Sequence, residues 1–169
     1  MLASKVMNPE TTSADPAPRT RMAVEATAAL EAVAGLAARR LERHAAAFGL
    51  SDAKLEVLEV LGCCADRRAC LYALGDELRV TRPNVTKLVD GLEREGLVER
   101  LPHPSDRRMV HAHLTGAGAT VADRALPGRR ERMESLWGRL TDEELERLVE
   151  LLRAALERPE PPTPEPARD

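Results

Sequence analysis

Residues 74–115 read LGDELRVTRPNVTKLVDGLEREGLVERLPHPSDRRMVHAHLT, and their pattern decides the fold. Apolar residues at the start of this stretch predict a short helix over residues 71–79. Val80 and Thr81 make a tight turn. Thr81 is a good N-cap for a second helix over residues 82–95, and Pro83 falls in the first turn, where a missing N–H costs nothing. In that helix Val85, Leu88, Val89 and Leu92 step as i, i+3, i+4, i+7 and mark a core face. Gly96 ends it. Two strands follow, residues 97–101 and 109–114, the second alternating Val110, Ala112 and Leu114 with Met109, His111 and His113. Helix, turn, helix and basic-tipped hairpin in that order describe a winged helix-turn-helix, a shape that lays a helix in the major groove of duplex DNA.

The flanks predict helices. An Ala-rich segment over residues 21–48 carries Leu30, Val33, Ala37, Leu41, His44 and Phe48 on one face, and Gly49 closes it. Ser51 caps a second helix with Leu55, Leu58 and Leu61 inward. Asp66-Arg67-Arg68 reads as a short charged connection. After the hairpin Thr115 caps a long helical stretch to about residue 140, which Pro127 is expected to kink or break. Thr141-Asp142-Glu143-Glu144 is a capping box opening a last helix with an apolar stripe of Leu145, Leu148, Val149, Leu152 and Leu156. The expected fold class is mainly α with a small β-hairpin wing. Residues 1–20 and the Pro-rich residues 158–169 are expected to be disordered tails.

Composition agrees. The 169 residues are 43% hydrophobic and 31% charged but only 2% aromatic (Phe48, Tyr72, Trp137), so the core must be aliphatic. No segment is long and apolar enough to span a bilayer, and residues 1–21 lack the apolar centre of a signal peptide, so the cytoplasm is the expected location and no membrane partner is expected. The net charge is −3. Residues 67–115 hold nine Lys/Arg against seven Asp/Glu, a weakly basic stretch that alone would not argue for nucleic acid.

The side-chain chemistry on the second helix does argue for it. Arg82 and Lys87 can reach guanine O6/N7 or phosphate, Asn84 can pair with adenine through two hydrogen bonds, and Thr86 can take either role. Thr81 sits at a helix N-terminus suited to a phosphate. At the hairpin tip Arg107 and Arg108 suit a narrow minor groove, with Asp106 orienting an arginine. No GxSxG, phosphate-cradling Gly loop or HExxH motif is present, so no enzyme and no cofactor are expected.

These residues carry a resemblance. LxxxLxVTRPNVTxLVDxLExxGLVxR, then DRR, then LTxxG resemble the winged helix-turn-helix of the MarR family of transcriptional regulators, over residues 22–157. The resemblance implies a homodimer reading a pseudo-palindromic operator in double-stranded DNA. Residues 21–50 and 116–157 would supply the dimerisation helices around a DNA-binding domain at 51–115. It implies a recognition helix at 82–95, a wing tip at Asp106-Arg107-Arg108 and a supporting or backbone-contacting Arg100. It also implies a repressor released by a small, often phenolic or aromatic, effector in a cleft near the dimer helices.

Arg40 and His44 are the candidate effector residues, His44 being the one polar residue on its helix's apolar face. Cys63 and Cys64 are expected to be buried, inert thiols. With Cys70, which stands where the family often has a capping Thr or Ser and which should cap poorly, they are the candidates for the alternative of a redox-responsive regulator. A winged-helix module binding protein instead of DNA is the other alternative. His103, His111 and His113 show no ligand-pair spacing, and no metal is expected.

Overall fold

The computed structural model describes residues 17–102 and 110–157. Its elements, in chain order, are α1 (Pro18–Ala46), α2 (Asp52–Cys63), a 3-10 turn (Ala65–Arg67), β1 (Arg68–Cys70), α3 (Leu71–Leu78), α4 (Arg82–Arg94), β2 (Val98–Pro102), β3 (Val110–Leu114), α5 (Gly116–Trp137) and α6 (Asp142–Leu156). The chain divides into two compact units, one ending at Leu36 and one starting at Ala37. Among the described residues no helix is long and apolar enough to cross a membrane.

Four expectations change. The connection at residues 66–68 runs into a strand: β1 pairs antiparallel with β3, Arg68 opposite His113 and Cys70 opposite His111, so the sheet has three strands in the order β1-β3-β2. Three residues are too short for an alternation signal, and Asp66 and Arg67 adopt positive φ of 54° and 53°, which no local pattern announces. Pro127 does not break α5, which runs unbroken from Gly116 to Trp137. Its segment is held by its neighbours: His44 Nε2 donates to the Ala125 carbonyl at 2.7 Å, and a Cβ on Gly128 would meet His44 Cε1 at 2.8 Å. Cys70 does cap α3, its sulfur accepting from the Ala73 N–H at 3.4 Å. The tail expected to residue 20 yields to α1 at Pro18; residues 1–16 and 158–169 lie outside the described residues.

The core is aliphatic. Leu55, Val57, Leu58 and Leu61 of α2 meet Leu74 of α3, Val85, Val89 and Leu92 of α4, Val98 of β2, Ala112 and Leu114 of β3, and Ala122 and Ala125 of α5. Each fully buried Leu or Val contributes about 1.5–3 kcal/mol of burial. In α4 the buried residues fall on one stripe, which leaves the opposite face to solvent.

Turn chemistry fixes how α4 and α5 are joined. Gly96 has φ +71°, with its N–H on the Glu93 carbonyl (3.0 Å) and the Leu97 N–H on the Leu92 carbonyl (2.9 Å), a Schellman closure. Thr115 then accepts from the Gly118 N–H at 3.0 Å, while its hydroxyl lies 2.8 Å from the Gly96 carbonyl as donor. A Cβ on Gly118 would collide with the Leu97 carbonyl oxygen, so only glycine lets the start of α5 lie against the end of α4.

One buried charge joins α5 to α2. The Arg129 side chain, 8% exposed, donates to Asp52 (2.8 Å) and Glu59 (3.0 Å), with Glu56 at 3.8 Å. Burial works against its charge, but the hydrogen bond to Asp52 and the charges of Asp52, Glu59 and Glu56 outweigh it and raise its pKa. With Arg130 also on Glu59 at 3.3 Å, three carboxylates face two guanidiniums, and the surplus falls on Glu56. Burial, and then the charges of Asp52 and Glu59, hold its carboxyl above its usual range, with Arg129 pulling the other way. A carboxyl whose folded pKa is raised contributes stability that is complete below its unfolded pKa and is lost as pH rises through the folded one. Glu56→Gln is therefore expected to melt above the parent at about pH 7, with the gap closing by about pH 4. Thermal melts at the two pH values check this; a variant melting below the parent at neutral pH would contradict it.

Candidate nucleic-acid interface

The N-terminal half of α4 is built as an outward face. Thr81, Arg82, Pro83, Asn84, Thr86 and Lys87 are all exposed. Thr81 is the N-cap by backbone angle, but its side chain makes no capping bond. Asn84 and Lys87 have no side-chain hydrogen bond or ion pair among the described residues. The Thr86 hydroxyl donates to the Arg82 carbonyl at 3.1 Å, within its own helix, which turns its methyl group into the more available part. The Arg82 guanidinium carbon lies 5.8 Å from the centroid of the Tyr72 ring, and no carboxylate among the described residues pairs with it.

Acidic residues of the same helix are occupied elsewhere. Arg100 of β2 binds Asp90 and Glu93 of α4, each at 2.6 Å, and its backbone N–H also donates to Glu93 at 3.2 Å. Burial disfavours its charge, but the hydrogen bonds and charges of Asp90 and Glu93 prevail and raise its pKa. Arg100 thus braces the base of the hairpin against α4 through Nη1, with Nη2 donating to the Thr86 carbonyl at 3.5 Å. Arg79, with φ +53°, closes α3 by donating its N–H to the Asp76 and Gly75 carbonyls. A Cβ on Gly75 would stand 3.3 Å from both the Val80 carbonyl and Val85, so the two helices meet closely at the turn. Asp106, Arg107 and Arg108, together with His103, lie outside the described residues.

Two features were not found from sequence. Tyr72 lies on the polar side of α3, 58% exposed, and the only signal for it was that one of three aromatics stood outside the core pattern. The acidic partners of Arg100 lie seven and ten residues away, a pairing that only the hairpin's return onto α4 creates.

The cysteine expectation is corrected. Cys63 is exposed and Cys64 half-buried, because α2 ends there and the chain turns away into β1. Burial, then Cys63, then Glu77 push the Cys64 thiol up, the opposite of what a reactive thiolate needs. No group of three metal-ligating side chains occurs among the described residues. His113 is bonded to Glu99 at 2.8 Å.

The other candidate residues meet around a cavity of about 640 Å³ between the end of α1 and α5, lined by Arg40, Arg43, His44, Ala47, Arg132 and Ser135. It holds three arginines and no carboxylate. Arg132 donates to the Gly128 carbonyl at 2.7 Å; Arg40 and Arg43 have no ion-pair partner among the described residues. His44 is buried, its ring edge-on to Phe48 at 5.2 Å. A second cavity, of about 510 Å³ between α2 and α3, is lined instead by Glu56, Glu59, Glu77 and the thiols of Cys63 and Cys64 over apolar residues.

Comparison with known proteins agrees with this architecture. The family model "MarR family" matches residues 56–110. The chain is 32% identical over 118 residues to the HTH-type transcriptional repressor YetL of Bacillus subtilis, covering 70% of this chain and 71% of that one. Its fold matches Sco3205, a MarR family regulator from Streptomyces coelicolor in complex with DNA, with TM-score 0.78 and 27% identity over 86% of this chain and 92% of that one. BpsR of Bordetella bronchiseptica shares the fold at TM-score 0.71 and 20% identity, over 79% and 94% of the two chains. A helix-turn-helix with a three-stranded wing sheet, an unencumbered outer face on its second helix and these relatives place the chain in the MarR family of DNA-binding transcriptional regulators, which are not enzymes.

Proposed function

We propose that this protein is a dimeric, sequence-specific regulator, a repressor that leaves a pseudo-palindromic operator when a small aromatic acid binds. The observation that carries the DNA contact is the division of charge on α4. Its acids, Asp90 and Glu93, are both drawn to Arg100, which offsets one of their two charges, while Thr81, Arg82, Pro83, Asn84, Thr86 and Lys87 stay exposed. That face meets the major groove, with Arg82 and Asn84 on base edges and Thr81 and Lys87 on phosphates. Arg107 and Arg108 enter the minor groove, Asp106 orienting them. Sco3205, with the same fold, has been seen in complex with DNA. Apolar residues left uncovered support the dimer: Met22, Val24 and Leu30 on α1, and Val149, Leu151 and Leu156 on α6, which has no buried residue. Such a regulator works in the cytoplasm, where the DNA is.

The effector reading rests on the cavity with three arginines. A carboxylate is matched by Arg40 and Arg43, and the space suits a single aromatic ring beside His44. The DNA binding of BpsR is regulated by one such acid, 6-hydroxynicotinic acid. The acid-lined second cavity would repel it. A ligand that prefers a helix spacing other than that of successive major grooves lowers DNA affinity by linkage.

Binding to a duplex selected by the protein from a random pool tests the DNA face. Asn84→Ala is expected to lose about 1–3 kcal/mol and to relax preference at one position per half-site, whereas Lys87→Ala weakens all duplexes alike and reduces the salt slope by about 1. Failure to select any sequence would overturn the reading. The same assay tests the effector. Benzoate and 6-hydroxynicotinic acid are expected to lower the affinity of the parent but not of Arg40→Ala; an equal response in both would remove the arginine cavity from the account.

A further inference from the structure

The chain has three aromatic residues, and one of them, Tyr72, is 58% exposed on the first turn of α3. It takes no part in the aliphatic core. Its ring faces the guanidinium of Arg82, the first residue of α4, at 5.8 Å. Two helices of the motif thus place an aromatic face under the arginine that opens the recognition helix.

The chemistry of that stack is specific. An arginine held by carboxylates spends N–H donors on them, as Arg100 does with Nη1 on Asp90 and Glu93. An arginine attracted over a ring by its charge spends no N–H donor on it, and all five remain available. The side chain is then limited in rotamer freedom without losing a hydrogen-bond donor. Guanine offers O6 and N7 to such a fork edge-on, in the major groove. Ordering a long side chain at an interface costs conformational entropy, and part of that cost is met before DNA arrives.

We propose that Tyr72 is a positioning residue for DNA recognition, stacking Arg82 so that its fork reads a guanine in each half-site. This rests on the reading that α4 faces the major groove. The aromatic face is what matters, so Tyr72→Phe retains the function and Tyr72→Leu, which keeps bulk and apolarity, loses it. Tyr72 acts through Arg82 and has no effect once Arg82 is absent.

Affinities of the parent, Tyr72→Phe, Tyr72→Leu, Arg82→Ala and the Tyr72→Leu/Arg82→Ala pair are measured on a duplex selected by the parent and on one carrying the guanine-to-adenine change, with thermal melts to confirm equal folding. Tyr72→Leu is expected to weaken the selected duplex about five- to thirtyfold and to narrow its advantage over the changed duplex. Tyr72→Phe stays within about twofold of the parent, and the double variant matches Arg82→Ala. Three results would overturn the proposal: full affinity in Tyr72→Leu, a Tyr72→Phe as weak as Tyr72→Leu, or losses that add in the double variant. If the α4 reading itself is wrong, Arg82→Ala binds like the parent; if only the Tyr72 assignment is wrong, Arg82→Ala is weak while Tyr72→Leu is not.

Discussion

The buried guanidinium of Arg129 is the constraint on which the rest of this structure depends. A charge that is 8% exposed is tolerated only when its partners are in place, and here they are supplied by one face of α2: Asp52, Glu56 and Glu59, at i, i+4 and i+7. Those acids hold α5 against α2 along their length, opposite the Leu55, Leu58 and Leu61 stripe that packs the helix-turn-helix. A hydrophobic seam could slide by a methyl group at little cost; a guanidinium shared among three carboxylates cannot. The network makes α2 the common wall of the winged domain and of α5, so a displacement of α5 is felt at α4 through one rigid element.

A second set of charges does for the DNA-facing surface what Arg129 does for the frame. Asp90 and Glu93 lie on the later turns of α4, and Arg100 offsets one of their two charges while tying β2 to α4. The stretch is barely basic in total, yet its outer face is basic because the acids are paired inward along the hairpin. Counting charges along the chain misses this; the pairing is made by the fold.

What was legible in the sequence follows the range of the forces involved. Helix caps and periodic stripes act within a few residues, so Ser51, Thr115, the Thr141 box and the Val85–Val89–Leu92 face were all found from pattern, and the observed capping bonds agree. The strand at Arg68–Cys70 was missed because its only reason to be extended is β3, more than forty residues on. The continuity of α5 through Pro127 is hidden for the same reason, since His44 of α1 braces it at Ala125 and Gly128. The thiols were misjudged because the exposure of Cys63 depends on where the chain turns after α2, at residues with positive φ. Of the candidate site, the identity of the α4 side chains was visible; the Tyr72 stack, the Arg100 brace and the gathering of Arg43 and Arg132 beside Arg40 were not, because each joins residues from separate elements.

The account's central claim is that the outer face of α4 lies in the major groove, in two copies related by symmetry. Methylation interference reports on this directly, because a methyl group on guanine N7 projects into the major groove and leaves the minor groove untouched. The account predicts two clusters of interfering guanines on the selected duplex, their centres about one helical turn (about 10 base pairs) apart or a multiple of it. Binding unaffected by N7 methylation, or a single cluster without a symmetry mate, would contradict it.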